Sequence, residues 1–275
     1  INIKPHFSNM SDSLICKCPK GHAYEISQHL LYHRHKFNTV ICTTCNPLNS
    51  SSGKELMLLD FIENNYIGNI LPNDRTALSG KELDVYLPEI KMAFEFNGVY
   101  WHSDLYKSDR YHVEKTAQCA AAGIRLVHIW EDDWDLRRPI VESMIKSKLG
   151  VFDRKIMARK CEVLPVGNAV AKVFLSENLQ GYCPSSMRLG LFFKGELVSL
   201  MTFGRPRRAV GWGSSGVELI RFCSIKNVQV IGGASKLFNA AVRKYEFEEV
   251  FSYSDLSRNT GDVYLKLGFR EISRT

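Results

Sequence analysis

The sequence predicts an α/β protein made of three modules, at residues 1–50, 51–150 and 151–275. Three observations support this division. Cysteine and histidine residues with the spacing of a metal site fall within the first module. Short apolar runs typical of buried strands alternate with helical patterns in the second. After Gly150, a further series of strands leads into a glycine-rich helix start, which indicates a separate α+β module.

Composition and charge narrow the class of protein. Of the 275 residues, 45% are hydrophobic and 24% are charged. A chain of this length and hydrophobic content can form more than one hydrophobic core. The formal net charge of +7 favours a polyanionic partner such as DNA. Part of it lies in the basic run at residues 33–36, expected on an exposed face. No apolar run is long enough to span a bilayer and no signal peptide is evident, so we expect a soluble intracellular protein with no membrane partner.

The first module has the ligand spacing of a zinc site. Cys18 and His22 flank a Pro-Lys-Gly turn, and Cys42 and Cys45 form a CxxC pair. Tetrahedral zinc takes four such ligands, and a segment this short and polar needs the metal in order to fold. Cys16 could replace Cys18 or His22 as a ligand. We therefore expect a zinc ribbon of the treble-clef type at residues 1–50.

The second module begins with a helix after a serine-rich linker. Ser52 is a suitable N-cap, and Glu55 stands at the third helical position, where a carboxylate completes a capping box. Glu55 therefore has a structural role available as well as the site role considered below.

Two carboxylates interrupt apolar strands in this module. Residues 83–87 and 92–96 predict a hairpin of buried strands, and Asp84 and Glu95 lie within them. A buried carboxylate needs a partner, and a divalent cation such as Mg²⁺ or Mn²⁺ suits two of them. A salt bridge would serve for either acid alone, but both acids together with His102 favour a metal site.

Two helices and one strand complete the second module. Residues 107–122 predict a helix that ends at Gly123, residues 124–130 predict a buried strand, and residues 136–149 predict a final helix. The order helix, strand, strand, helix, strand, helix predicts an α/β domain.

The polar residues of this module suit phosphodiester hydrolysis. We expect them to meet at one edge of the sheet: Asp84, Glu95, His102 and either His112 or Lys115. Hydrolysis needs an activated water, neutralisation of transition-state charge and protonation of the leaving oxygen. Magnesium on the two carboxylates would meet the first two needs, and the His102 imidazole can act as acid or base near neutral pH.

Four short segments carry a family resemblance: Leu83-Asp84-Val85, Phe94-Glu95-Phe96-Asn97-Gly98, Tyr100-Trp101-His102 and Val127-His128-Ile129-Trp130-Glu131. With them, residues 52–149 resemble the very-short-patch repair (Vsr-like) endonuclease and its relatives among phage homing endonucleases, a branch of the PD-(D/E)XK nuclease fold. The resemblance implies that Asp84 binds magnesium together with the main-chain carbonyl of Phe96. It also implies that His102 acts beside the metal and that Glu55 completes the site.

One position departs from the plain PD-(D/E)XK pattern. Asn97 stands where the lysine of the E-x-K motif would be. His102 would therefore take over the role of that lysine, with Lys115 or His112 as auxiliaries. The candidate catalytic residues are Glu55, Asp84, Glu95, His102, His112 and Lys115, and the candidate magnesium ligands are Asp84, Glu95 and Phe96.

The third module carries a glycine loop before a predicted helix that spans residues 235–245. Glycines at a helix start expose N–H groups that can bind a phosphate. The loop, with Gln229, Gly232, Gly233 and Ala234, resembles the coenzyme A loop of the GNAT acetyltransferase fold, R/Q-x-x-G-x-G/A. The segment 264–269 resembles the closing motif of that fold, although Asn259 lies closer to it than is usual. The resemblance implies a GNAT-like α+β domain.

Two functions compete for this third module. It either binds DNA or works as an acetyl-CoA-dependent acyltransferase. We favour DNA binding and do not expect acetyl-CoA as a cofactor. Basic residues consistent with DNA contact are Lys194, Arg205, Arg207, Arg208, Arg221 and Lys236.

The sequence as a whole predicts a magnesium-dependent, site-specific endonuclease acting on double-stranded DNA. We expect it in the cytoplasm of a bacterial or phage-infected cell. Two alternatives stay open: a catalytically idle DNA-binding protein that retains the fold, and a nuclease fused to an active acyltransferase.

Overall fold

The chain forms two compact units, Ile1–Ser52 and Gly53–Thr275. The second unit contains both of the modules predicted after residue 50, so the division at residue 150 stays a prediction. The computed structural model describes residues 13–27, 31, 34–35, 41–42, 44–45, 53–98, 110–179, 181–206 and 216–273.

The first unit is built on an antiparallel hairpin. Strand β1 (Ser13–Lys17) pairs with β2 (Ala23–Ser27), and Cys16 lies opposite Tyr24. In the described part of this unit, the buried Tyr24, Ile26 and Cys42 pack with partly buried neighbours. The core that these residues form is small, and a metal ion commonly supplies stability to units of this kind.

In the described residues from 53 to 148, the second unit forms a four-stranded sheet and three helices: α1 (Gly53–Glu63), β3 (Leu71–Leu78), β4 (Lys81–Leu87), β5 (Met92–Asn97), α2 (Arg110–Ala121), β6 (Arg125–Trp130) and α3 (Glu131–Lys148). The strand order is β3-β4-β5-β6. The first two pairings are antiparallel, and β5 pairs with β6 in parallel.

The sheet is covered by helices on both faces. On one face, buried residues of β4, β5 and β6 pack against α1 and α3, with Phe94 and Ile129 facing Leu58 and Trp134. On the other face, Ala93 and Leu126 form a smaller cluster with Cys119 of α2. Alternate residues of each strand point to opposite faces, so Glu95, Asn97 and His128 lie on the α2 face.

The predicted hairpin is confirmed, with a 3₁₀ turn at Pro88–Ile90 between β4 and β5. Strand β3 is an addition that the sequence did not predict. Helix α3 begins at Glu131, five residues before the predicted start at 136 (136 minus 131). It bends at Arg137, whose φ is −138° and ψ is 30°, close to Pro139, which has no N–H to donate to the preceding turn.

The described elements after residue 150 are β7 (Arg154–Met157), β8 (Glu162–Pro165), α4 (Asn168–Asn178), β9 (Met187–Phe193), β10 (Glu196–Gly204), β11 (Val217–Ser224), β12 (Val228–Ile231), α5 (Gly233–Tyr245), β13 (Val250–Phe251) and α6 (Asp262–Lys266). They form a five-stranded sheet with the order β13-β11-β10-β9-β8 and a parallel pair, β12-β7. The protein is therefore of mixed α/β class with several sheets, as predicted at that level. Among the described residues, no helix combines the length and apolar character that a membrane span requires.

Candidate functional sites

Three cysteines and one histidine come together in the first unit. The ligand atoms of Cys18, His22, Cys42 and Cys45 all lie within 4.8 Å of one another. The Cys18 and Cys45 sulfurs are 3.8 Å apart, and His22 Nδ1 lies 3.1 Å from Cys45 Sγ and 4.0 Å from Cys42 Sγ. A tetrahedral zinc site with Zn–S bonds of about 2.3 Å separates two sulfurs by about 3.8 Å. The four atoms therefore have the spacing of a closed metal site.

Local backbone geometry brings these ligands together. The N–H of Cys18 donates to the His22 carbonyl at 3.0 Å and the N–H of Gly21 donates to the Cys18 carbonyl at 2.9 Å. Gly21 has a φ of 87°, which glycine adopts without steric cost. In the second pair, the N–H of Cys45 donates to Cys42 Sγ at 3.3 Å. Such a bond stabilises the thiolate, which is the form that binds a metal, and holds it in place.

The buried side chain of Arg34 supports the second pair of ligands. Its Nη1 donates to the carbonyl oxygens of Ile41 at 3.0 Å and Cys42 at 3.1 Å. The prediction that the basic run at 33–36 lies on an exposed face is therefore wrong for Arg34, although His35 is exposed. The other two residues of the run lie outside the described residues.

The thiols of this cluster differ in pKa. Burial raises the pKa of Cys42, but hydrogen bonds from the backbone of Cys45 and Thr44 and from neighbouring thiols outweigh it and lower the pKa to about 6. Burial, with the nearby Cys42 and Cys18, raises the pKa of Cys45 to about 11. Cys16 is outside the four-residue cluster and hydrogen-bonds with Tyr24. The cluster could bind a metal ion such as zinc.

A second group of polar residues lies between the central sheet and α2, and we call it the polar layer: Asp84, Glu95, Asn97, Lys115, Thr116 and His128. The half-buried Asp84 carboxylate accepts a hydrogen bond from the N–H of Phe96 through Oδ2, at 2.7 Å. This contact joins β4 to β5 beyond the regular pairing, which ends at Val85 and Phe94. It places Asp84 beside the segment that carries Glu95.

Glu95 and Lys115 form a buried ion pair inside the polar layer. Lys115 Nζ donates to Glu95 Oε1, and the two side chains are 3% and 8% exposed. Burial lowers the pKa of Lys115, but the charges of Glu95, Tyr111 and Asp84 outweigh this effect. The net shift of the Lys115 pKa is therefore upward. The salt-bridge alternative thus applies to Glu95, whose buried charge is balanced by Lys115.

Asn97 and His128 form the inner part of the layer. Asn97 Nδ2 lies 3.0 Å from His128 Nδ1, and Thr116 Oγ1 lies 2.9 Å from His128 Nε2. An amide nitrogen can only donate, so Nδ1 accepts and Nε2–H donates to Thr116. Thr116 in turn donates to the carbonyl of His112 at 2.7 Å. These contacts fix the orientation of the His128 ring between β5 and α2.

Two further predicted site residues, His112 and Glu55, are half-buried. The ring centroid of His112 lies 5.4 Å from that of His128 and 5.3 Å from that of Trp130. Glu55 lies in the first turn of α1. His102 lies outside the described residues, so its role stays a prediction. Sequence reasoning assigned no role to His128, although a histidine inside an apolar strand was a visible signal.

Magnesium binding by Asp84, Glu95 and the Phe96 carbonyl stays a prediction. Asp84 offers a carboxylate and Phe96 a main-chain carbonyl, both ligands that this ion prefers. Glu95 already binds Lys115, which leaves Asp84 as the principal candidate. Among the described residues, the cysteine cluster is the one group of three or more Cys, His, Asp or Glu that could hold a metal ion.

The glycine loop of the second unit has a clear structural basis. Gly232 is the N-cap of α5 with φ 77°, a conformation that favours glycine. A Cβ on Gly233 would lie 3.1 Å from Val230 Cγ1. Gln229 lies in β12, and Ala234 is half-buried in the first turn of the helix. Phosphate or coenzyme binding at this loop stays a prediction.

One of the basic residues proposed for DNA contact near this loop is engaged inside the protein. Lys236 Nζ donates to the carbonyl oxygens of Ala158 at 3.0 Å and Cys161 at 2.6 Å. Lys236 therefore holds α5 against the 3₁₀ turn at Ala158–Lys160. This contact gives it a structural role.

Neither protein-family models, nor curated proteins, nor solved structures match this chain. The cysteine cluster and the polar layer therefore carry the functional assignment.

The Glu95–Lys115 pair predicts a specific pattern of stability changes. Lys115→Met leaves a carboxylate buried without its cation and is expected to cost about 3–5 kcal/mol, the range for breaking one half of a buried pair. Adding Glu95→Gln removes that charge and is expected to recover much of the loss. Urea unfolding followed by tryptophan fluorescence measures both variants. A loss below about 1 kcal/mol for Lys115→Met would mean that another group neutralises Glu95.

Proposed function

We propose that this chain is a metal-dependent DNA endonuclease that hydrolyses phosphodiester bonds at specific sites, with Mg²⁺ or Mn²⁺. One observation carries the proposal. The half-buried Asp84 carboxylate is fixed by the Phe96 N–H next to a buried Glu95–Lys115 pair. A carboxylate held in place beside a buried cation is an arrangement that suits metal binding and phosphate chemistry together.

Each residue of the site has a separate task under this proposal. When bound, magnesium would lower the pKa of a water and neutralise charge on a phosphate oxygen. Asp84, with the Phe96 carbonyl, would hold that ion. Lys115, buried and paired with Glu95, would contribute positive charge behind the metal ion, and Glu95 would keep that ammonium in position. His102, and His112 as an auxiliary, are the candidates for proton transfer.

The finer assignments of fold belong to the same proposal. We assign residues 52–149 to the Vsr-like branch of the PD-(D/E)XK fold and the C-terminal residues to a GNAT-like domain without acyltransferase activity. The formal net charge of +7 supports a nucleic acid partner. We also propose that the cysteine cluster holds one zinc ion, because its ligand atoms have the spacing of a closed tetrahedral site.

Conversion of supercoiled plasmid DNA tests the proposal. The purified chain is incubated with plasmid in Mg²⁺, Mn²⁺, Ca²⁺ or EDTA, and the cleaved ends are mapped by sequencing. We expect nicked or linear product in Mg²⁺ and Mn²⁺, none in EDTA, and ends at a restricted set of positions. Tight DNA binding with no cleavage in any of these metals would support the idle DNA-binding alternative instead.

A further inference from the structure

The outer edge of the central sheet is closed by residues from the C-terminal part of the chain. Among the strands that the structure describes, β6 is the last of this sheet and pairs with β5 alone. On its other side, the N–H of His128 donates to the carbonyl of Ser257 at 3.0 Å. An open strand edge needs a cover of this kind. The same residue, His128, holds Asn97 and Thr116 in the polar layer through its side chain.

A buried ion pair secures this cover. Arg258 Nη2 donates to Asp133 Oδ2 at 2.5 Å, and the two side chains are 11% and 7% exposed. Asp133 lies in the first turn of α3, three residues after Trp130 ends β6 (133 minus 130). Lys148, near the end of α3, donates to the carbonyl of Arg258. The segment around Ser257 and Arg258 is thus fixed to both ends of α3.

Asp133 has a second arginine partner that serves as an internal comparison. Arg137 Nη1 donates to Asp133 Oδ1 at 2.7 Å from within the same helix, and its side chain is 44% exposed. One carboxylate therefore receives two guanidinium groups. One of them, on Arg258, joins two parts of the fold, and the other, on Arg137, is local to α3.

We propose that Arg258 is a positioning residue for the candidate nuclease site, acting through Ser257 and His128 on the polar layer. Arg258 fixes the segment whose carbonyl holds the His128 backbone, and His128 fixes Asn97, two residues beyond Glu95 (97 minus 95). The C-terminal part of the chain would then complete the catalytic geometry as well as contact DNA. The effect of Arg258 on activity rests on the proposed nuclease function.

The test compares Arg258→Ala with Arg137→Ala in the full chain. A shift in the position of catalytic groups by about 1 Å can lower a rate by about 10²-fold. We expect Arg258→Ala to lower kcat for plasmid nicking by about 10- to 10²-fold with little change in KM, because chemistry rather than DNA binding is affected. Arg137→Ala is expected to keep kcat near that of the unchanged protein. A rise in KM alone for Arg258→Ala would identify a DNA contact and overturn the proposal.

A spectroscopic measurement separates positioning from simple loss of stability. In protein with ¹⁵N-labelled histidine, the His128 imidazole signals are assigned with His128→Gln. We expect Arg258→Ala to shift these signals and to speed hydrogen exchange at the His128 amide, and Arg137→Ala to change neither. Arg258→Lys, which keeps the charge, is expected to fall between the two and covers the case in which Arg258→Ala fails to fold.

Failure of the nuclease function and failure of the Arg258 positioning role give different results. If the unchanged protein cleaves no DNA, the proposed function fails, while the His128 signals still decide whether Arg258 controls the polar layer. If Arg258→Ala and Arg258→Lys fold and leave both kcat and the His128 signals unchanged, the positioning role is excluded.

Discussion

Asp84→Asn is expected to abolish metal-dependent cleavage while DNA affinity stays equal or rises. Asparagine keeps an oxygen that can accept the Phe96 N–H, so local structure is retained. It removes the negative charge that a magnesium ion requires, and it removes a repulsion with DNA phosphates. Loss of this electrostatic contribution is expected to lower the nicking rate by roughly 10³-fold or more. Plasmid nicking and fluorescence anisotropy with labelled DNA measure the two effects.

The sheet offers a matched control for this variant. Asp74 is a buried aspartate on β3 that accepts hydrogen bonds from Thr76 Oγ1 and the Ala77 N–H. Asp74→Asn makes the same chemical change outside the polar layer and is expected to leave cleavage intact. Normal magnesium-dependent cleavage by Asp84→Asn would place the active site elsewhere in the chain.

The central hairpin could be predicted because its signal is local. Residues 83–87 and 92–96 are apolar runs separated by a proline turn, and both became strands of one antiparallel pair. Strand β3 has no such signal. It is an edge strand with Asn73 at a positive φ of 52° and an irregular register between Asp74 and Leu78. Polar residues and a bulge conceal the alternation that identifies a strand.

The partners of the buried acids depend on tertiary packing. The sequence marked Glu95 as a buried carboxylate in need of a partner, but the cation on Lys115 comes from a helix 20 residues later (115 minus 95). Both a salt bridge and a metal were compatible with the sequence. The position of α2 against the sheet brings Lys115 to Glu95, and no short sequence pattern encodes that position.

The contacts of Arg258 are the hardest to predict from the sequence. Arg258 and Asp133 are 125 residues apart (258 minus 133) and meet only when the C-terminal segment covers β6. The cysteine cluster is the opposite case. Its ligand spacing is local within each pair, so the four residues could be predicted together and are found together.

Cys42→Ser is expected to remove zinc from the first unit and to unfold its hairpin, while the second unit stays folded. Binding energy of structural zinc is about 10–16 kcal/mol in small zinc-dependent peptides, far more than the core of Tyr24 and Ile26 can supply. The unchanged chain is expected to contain about one zinc per molecule, as a closed four-ligand site requires. Metal analysis measures the content, and hydrogen exchange mass spectrometry follows each unit separately.

Cys16→Ser is the matched control, because Cys16 lies in the same hairpin but outside the four-residue cluster. It is expected to keep its zinc and the protection of the hairpin. Zinc loss in Cys16→Ser would make Cys16 a ligand in place of Cys18 or His22, the alternative that the CxC spacing left open. Full zinc content in Cys42→Ser would remove Cys42 from the site altogether. Unfolding of residues 53–275 in either variant would show that the metal stabilises more than the compact unit that contains it.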